Sequence, residues 1–513
     1  MFKSAVFVLA FVVLVTSHPG FSAEEPPKMA DKPADASKEK SKDKDKDPEK
    51  LTETKHAISI GGKEIRYTAR AGVIQLKDAE DKSTASIFHI AYTRDDATNA
   101  AVRPLTFSFN GGPGSSSVWL HMGLLGPRRV VLEDDGMPLP PPYTLTDNES
   151  SLLDETDLVF IDPVSTGYSR AAKPADAAKF HGVREDVASV GEFIRLYVTR
   201  NKRWPSPKFI IGESYGTTRA AALSGELSGR HHMAVNGIML VSTVLNFQTI
   251  RFAEGNDLPF VLYLPSYSAT AWYHKKLPAD LQKLKLDDLL PKAEAFAAGD
   301  YNAALLKGTS MKPEERQRIV RETARLTGLS ENYVDRSNLR IELSRFAKEL
   351  LGQEGYVIGR FDSRYKGRVR DRVGTSMEYD PSGEGVFTAF TATFNDYVRR
   401  ELSYESDLNY EILNGLGWDW GEKNGYLNVG ETLASSLTRN PFLKVHVSSG
   451  CYDMATPYFA TRYTFNHLGM DAELAKNLVL DDYTAGHMMY LNQPDLKKQK
   501  ADLSKFIRTA APR

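Results

Sequence analysis

A strand that runs straight into a helix through Gly-x-Ser-x-Gly leaves a chain few options, and KFIIGESYGTT (208–218) reads that way. The apolar run ends at Gly212, Ser214 stands at the corner and Gly216 opens the helix. Such a turn lifts the serine hydroxyl clear of the backbone, the geometry of a nucleophile elbow. Glycine is needed where a side chain would strike the neighbouring strand or helix. The bland alternative is a strand-to-helix turn with a serine cap, so the surrounding chain decides.

Around the elbow, apolar strands alternate with helices. Residues 56–76 predict a hairpin turning on Gly61 and Gly62, and SIFHIAYTR (86–94) a further strand. RPLTFSFNGGPGSSS (103–117) predicts a strand breaking into a glycine-rich loop, and TDLVFIDPVSTGYS (156–169) a buried strand and a loop. Val183, Val187, Val190, Ile194 and Tyr197 share one helical face. NGIMLVSTV (236–244) is one more apolar strand. The pattern predicts an α/β chain with a largely parallel sheet covered by helices on both faces.

That rhythm stops near residue 247, and helical, charged, aromatic sequence follows to about 435. It resumes with FLKVHVSSG (442–450), a helix over 456–467, NLVLDD (477–482) and a closing helix. The expected organisation is a core over 51–246 and 436–513, interrupted by a mainly helical cap over 247–435. The cap belongs over the carboxyl edge of the sheet, where open α/β sheets bind ligands.

Two segments fall outside that fold. Lys3, the apolar run Ala5 to Val15 and the ending GFSA predict a secretory leader over 1–23. Its apolar run is too short to span a membrane comfortably, so no stable insertion is expected once the leader is cleaved. Residues 24–50, with SKEKSKDKDKDPEK, predict a disordered charged tether. Cys451 is the only cysteine, so no intramolecular disulfide can form. An exported chain without one must hold together by core burial, which points to a bacterial periplasmic or extracellular protein. The formal net charge of -1 supplies no general attraction for nucleic acid, and no nucleic-acid partner is expected. His231 and His232 are adjacent without a ligand pattern, and neither metal nor cofactor is expected.

A serine hydroxyl needs a base to take its proton, and the base needs an orienting acid. In elbow-bearing folds the chain order is serine, acid, histidine. His467 and His487 follow the late sheet strand, and His487, in the glycine-led loop TAGHMMY, is the one presented to a sheet edge. Asp453 directly follows KVHVSSG, whereas Asp481 and Asp482 end the strand whose loop must deliver His487. The expected triad is Ser214, Asp453 and His487. An oxyanion needs backbone N–H donors, and Gly112 of NGGPG and Tyr215 after the serine are the candidates. The rival reading of GGPGSSS as a phosphate loop lacks the Gly-Lys-Ser/Thr ending.

These pieces together resemble the serine carboxypeptidase family, whose members have the α/β-hydrolase fold. FNGGPGSSS is similar to its Asn-Gly-Gly-Pro-Gly-Cys-Ser-Ser loop, and VFIDPVSTGYS to its Asp-Gln-Pro-x-x-x-Gly-Phe-Ser stretch. GESYG, SSGCYDMATP and AGHMM resemble its serine, aspartate and histidine motifs. RFDSRY (360–365) resembles bacterial relatives. The resemblance implies a peptide substrate losing C-terminal residues through an acyl-enzyme. It also implies that Asn110 and Glu213 bind the substrate's terminal carboxylate, Glu213 in its protonated form. The family's tryptophan two residues before Asn110 is Ser108 here, its second glutamate is Leu124, and its loop cysteine is Ser115. The acid that it carries two residues before the triad aspartate is Cys451. An esterase or acyltransferase on the same machinery, or a binding module without turnover, are the competing readings. Oligomeric state is not legible from the sequence.

Overall fold

The computed structural model describes residues 49–511 apart from 98, 100 and 101. The expected leader, and the expected tether as far as residue 48, lie outside the described residues.

A ten-stranded sheet forms the centre. Its main strands are β1 Leu51–Ile60, β2 Lys63–Lys77, β3 Ser83–Arg94, β4 Leu105–Phe109, β5 Asp157–Ile161, β6 Lys208–Ser214, β7 Gly237–Thr243, β8 Lys444–Gly450 and β9 Leu478–Tyr483. They lie in the order β1-β2-β3-β5-β4-β6-β7-β8-β9, and the short strand Arg170–Ala171 adds to β3. Pairing is antiparallel from β1 to β5 and parallel from β5 through β9. The β1–β2 turn uses Gly61 and Gly62, both at positive φ (56° and 76°), which a tight two-residue hairpin requires.

The longer helices are α1 Val183–Arg200, α2 Tyr215–Arg230, α3 Leu258–Tyr273, α4 Leu286–Phe296, α5 Pro313–Thr327, α6 Glu384–Arg400, α7 Gly430–Arg439, α8 Tyr458–Asn466 and α9 Gln493–Ala510. Because side chains alternate along a strand, β5 sends Leu158 and Phe160 to one face and Val159 and Ile161 to the other. On the first face they meet Phe390 and Phe394 of α6, and Leu503 and Phe506 of α9. On the second they meet Val190 and Phe193 of α1, Leu223 of α2, and Leu433 and Leu437 of α7. Full burial of each such side chain contributes about 1.5–3 kcal/mol. This is the α/β-hydrolase fold.

The segment 247–435 contributes to more than one apolar cluster. Helices α3 to α5 close around an apolar cluster of their own, with the Tyr267 ring stacked on Phe346 at 4.0 Å. Helix α6 returns to the sheet, its Tyr397 hydroxyl reaching that of Tyr92 on β3 (2.8 Å), and α7, which straddles the expected boundary, packs Leu433 on the opposite face and bonds Ser224 of α2 through Ser436 (2.8 Å). The end of the expected tether also joins the sheet. Glu49 accepts the Gln75 N–H and pairs with Arg200 (3.0 Å), and the Lys50 ammonium donates to the Glu405 carbonyl (2.8 Å).

Register brings the functional loops to one edge. Phe109 pairs with Gly212, Glu213 with Val241, and Val241 with Ser448, so β4, β6, β7 and β8 end at one level. The loops leaving β4, β8 and β9 carry Asn110 to Gly112, Asp453 and His487, and Ser214 ends β6.

Candidate active site

Ser214 closes β6 with φ 60° and ψ −130°, a backbone region that L-residues seldom occupy. Holding it costs about 1–3 kcal/mol, which the surrounding contacts must offset. Those contacts are backbone to backbone. A Cβ on Gly212 would stand 2.1 Å from the Gly216 carbonyl oxygen, and one on Gly111 2.5 Å from the Tyr215 nitrogen. The glycine loop therefore lies directly on the elbow.

A buried arginine ties the two together. Arg219, one turn into α2, donates through Nη1 to the Asn110 carbonyl (2.6 Å) and through Nε to Asp186 of α1 (2.8 Å). The Tyr215 hydroxyl donates to the same Asp186 oxygen (3.1 Å). Burial raises the Asp186 carboxyl, against the pull of Arg219.

Asp453 and His487 meet under the elbow. His487 Nδ1 is 2.8 Å from Asp453 Oδ2, and both residues are buried. The remaining capacity of Asp453 is filled by the N–H groups of Ala455 (2.7 Å) and Thr456 (2.9 Å) and by the Thr456 hydroxyl (2.8 Å). The His487 backbone donates to Phe361 (2.6 Å) and accepts from the Ser242 hydroxyl (2.6 Å), which fixes the ring's origin. Burial lowers the proton affinity of His487, but Asp453 and Glu213 outweigh it and hold the imidazole above its ordinary value. The other sequence candidates are engaged elsewhere. Asp481 pairs with His446 (2.9 Å), Asp482 with Arg462, and His467 stacks on Tyr463.

Beside the serine, Glu213 is buried and its Oε2 accepts a 2.6 Å hydrogen bond from the Tyr490 hydroxyl. Burial pushes its carboxyl up to about 7, against the opposing influence of His487 and Tyr490. Asn110 is 1% exposed; its Oδ1 accepts the Leu120 N–H (3.1 Å), while its Nδ2 has no hydrogen-bond partner. A buried amide donor without a partner thus stands next to a carboxyl whose titration burial has moved up to about 7.

Two cavities meet at Ser214. A glycine-loop cavity of about 440 Å³ is bordered by Asn110, Trp119, Glu213, His487 and Met488. An insertion cavity of about 430 Å³ is walled by Tyr215, Phe247, Phe252, Tyr263 and Trp420. Gly112, Ser214 and Arg360 border both. The Tyr215 N–H lies in the first turn of α2, where no partner exists within the helix. The arrangement can attack, protonate and stabilise an acyl centre held between the cavities.

Residues 62–493 match the family model described as serine carboxypeptidase. The chain belongs to the serine carboxypeptidase family. Over 156 residues it is 34% identical to the pheromone-processing carboxypeptidase KEX1 of Saccharomyces cerevisiae, covering 28% of this chain and 20% of that protein. It is 26% identical over 183 residues to serine carboxypeptidase-like 45 of Arabidopsis thaliana, covering 33% of this chain and 36% of that one. The aligned region thus spans between a fifth and about a third of these relatives' length. The crystal structure of a KEX1 form from S. cerevisiae superposes with a TM-score of 0.53 at 17% identity, covering 86% of this chain and 91% of that one.

Leu124, where the resemblance implies an acid, is wholly buried. The neighbouring Gly123 makes room for Tyr490, since a Cβ there would stand 2.4 Å from its ring. A phenol from the histidine loop thereby supplies the hydrogen bond to Glu213. Sequence reasoning missed Tyr490, Arg219 and Arg360. The available signals were the placement of Tyr490 three residues after His487 and the cation opening RFDSRY.

Proposed function

We propose that this chain is a serine carboxypeptidase that releases residues from the C-terminal end of peptides through an acyl-enzyme. The observation that carries the reading is the buried Asp453–His487 hydrogen bond, with His487 and the strained Ser214 bordering one cavity. Ser214 Oγ attacks the scissile carbonyl as His487 Nε2 takes its proton, and Asp453 holds the ring and balances the imidazolium. The N–H groups of Gly112 and Tyr215 receive the oxyanion. His487 returns the proton to the leaving amine, and water then repeats the sequence on the acyl-Ser214 ester.

Asn110 and protonated Glu213 serve as donors to the terminal carboxylate, which requires Glu213 to keep its proton close to neutrality. The leader-like residues 1–23 support a location outside the cytoplasm, in the periplasm or beyond.

The test has two arms. A fluorophosphonate probe should label Ser214, and mass spectrometry of matched peptides should show shortening of free C-termini far ahead of their amides. Labelling with equal cleavage of acid and amide would replace the reading by an esterase or endopeptidase. Absent labelling would leave a binding module.

A further inference from the structure

Arg360 is the charge that both cavities share. It comes from the insertion and borders each cavity together with Ser214. Among the described residues its guanidinium has no ion pair; its contact is the face of the Phe361 ring, 5.1 Å to the centroid. The nearest carboxylate in sequence, Asp362, is held by Arg364 (2.6 Å), and Asp380 takes the backbone rather than the guanidinium: its Oδ1 accepts the N–H of Arg360 (3.1 Å) and the N–H and hydroxyl of Ser382. The other charged groups around the cavities are Arg251, Glu342, Glu213 and His487. Arg251 lies over the Trp420 ring at 5.1 Å. The field of Arg360 reaches the reacting groups, since it opposes protonation of His487.

Chain geometry decides what such a cation can hold. In a substrate cut one residue from its end, the terminal carboxyl carbon is two bonds beyond the leaving nitrogen. With N–Cα and Cα–C bonds of about 1.5 Å, it stays within about 4 Å of the scissile carbonyl carbon. A side-chain carboxylate instead reaches outward along one cavity. The cation for a terminal carboxylate must therefore stand beside the nucleophile, where the two cavities join. Arg360 borders both cavities with Ser214, and its segment is bonded to the triad loops: the Arg360 carbonyl accepts the Met454 N–H (3.1 Å) and the Phe361 carbonyl the His487 N–H (2.6 Å). The need for it is also visible: one acid of the family's pair is Leu124, and Glu213 spends one oxygen on Tyr490.

We propose that Arg360 pairs with the substrate's terminal carboxylate, opposite Asn110 and Glu213, and so selects peptides with free C-termini. This rests on the carboxypeptidase reading. Guanidinium presents two parallel donors to a carboxylate and keeps its charge at every working pH, so the substrate binds as the anion. The insertion thereby supplies recognition as well as cover.

The test compares kcat/KM on a matched peptide acid and amide in the parent, Arg360→Ala and Arg360→Lys. The acid-to-amide ratio should fall at least about tenfold in Arg360→Ala, mainly through KM, the size of a lost charged hydrogen bond. Arg360→Lys should retain part of it, and added guanidinium ion should restore cleavage of the acid by Arg360→Ala and leave the amide unaffected. An unchanged ratio in both variants overturns the proposal. So does a loss confined to peptides with acidic side chains, equal for acid and amide. Fluorophosphonate labelling of parental Ser214 separates these failures from a failure of the carboxypeptidase reading itself.

Discussion

Tyr490 donates a 2.6 Å hydrogen bond to Glu213, and both side chains are buried. The phenol holds its proton far more tightly than a carboxyl does, because burial and Glu213 both raise it. The pair therefore has a fixed direction: Tyr490 gives, Glu213 receives. The second Glu213 oxygen carries whatever proton the pair loses and gains near neutrality.

That direction makes the pH profile informative. Protonated Glu213 is depleted as pH rises through about 7, and neutral His487 is depleted as pH falls through its raised value. Cleavage of free-carboxyl peptides should follow a bell set jointly by the pair. Glu213→Gln keeps a donor without a titration, so its alkaline limb should flatten. Tyr490→Phe removes a contact that favours the carboxylate, so its alkaline limb should move to higher pH. Profiles of kcat/KM for the three proteins check this, and identical alkaline limbs would remove Glu213 from carboxylate binding.

Ser214→Ala should abolish hydrolysis, by on the order of a million-fold in turnover for loss of a triad member. The fold should survive, since Ser214 makes no side-chain cap to α2 and its backbone is held by neighbouring glycines. Activity above a few per cent in a folded preparation would require another nucleophile.

Much of this site was legible in the sequence, because each motif follows an apolar strand and a glycine marks each close backbone approach. The membership of α6 and α7 was not. An amphipathic helix announces that one face is buried, yet Phe390 and Leu433 carry no sign of which cluster buries them. Tyr490 was hidden for a related reason, since an aromatic in a buried loop reads as packing until its hydroxyl is located. Arg360 gave only a charge, and its position between two cavities depends on how the insertion folds. Composition is equally silent at the end of the tether: Glu49 and Lys50 resemble it but find Arg200 and the Glu405 carbonyl in space.

The N-terminal boundary gives a graded test. A chain starting at Leu51 loses the Glu49–Arg200 pair, a surface ion pair of about 0–1 kcal/mol, together with the Glu49 bond to Gln75 and the Lys50 bond to Glu405, and should be only modestly destabilised. A chain starting at Gly61 also loses β1, with buried Ile58 and Ile60, and leaves β2 as an open edge. Its stability should fall by several kcal/mol at about 1.5–3 for each buried side chain, before any loss of activity per folded molecule. Denaturant midpoints of the two proteins measure the difference, and equal midpoints would show that β1 does not contribute to the core.

The sharpest stability prediction concerns Arg219, which is 1% exposed and joins Asp186 to the Asn110 carbonyl. Arg219→Ala leaves the Asp186 charge buried without its counterion, a change that costs about 3–5 kcal/mol. It also frees the carbonyl of Asn110, so the glycine loop loses its tie to α2 and activity should fall although Arg219 meets no substrate. The two effects can be parted. Adding Asp186→Leu removes the stranded carboxylate and should recover much of the stability, while Asn110 still lacks its donor and kcat/KM stays low. Arg219→Lys keeps a charge, but a single ammonium cannot present the guanidinium fork to Asp186 and Asn110 at once, so it should rescue stability more than activity. Denaturant midpoints and kcat/KM across the four proteins decide the matter. A double variant that regains both together would show that Arg219 acts on charge balance alone and leaves the glycine loop to position itself.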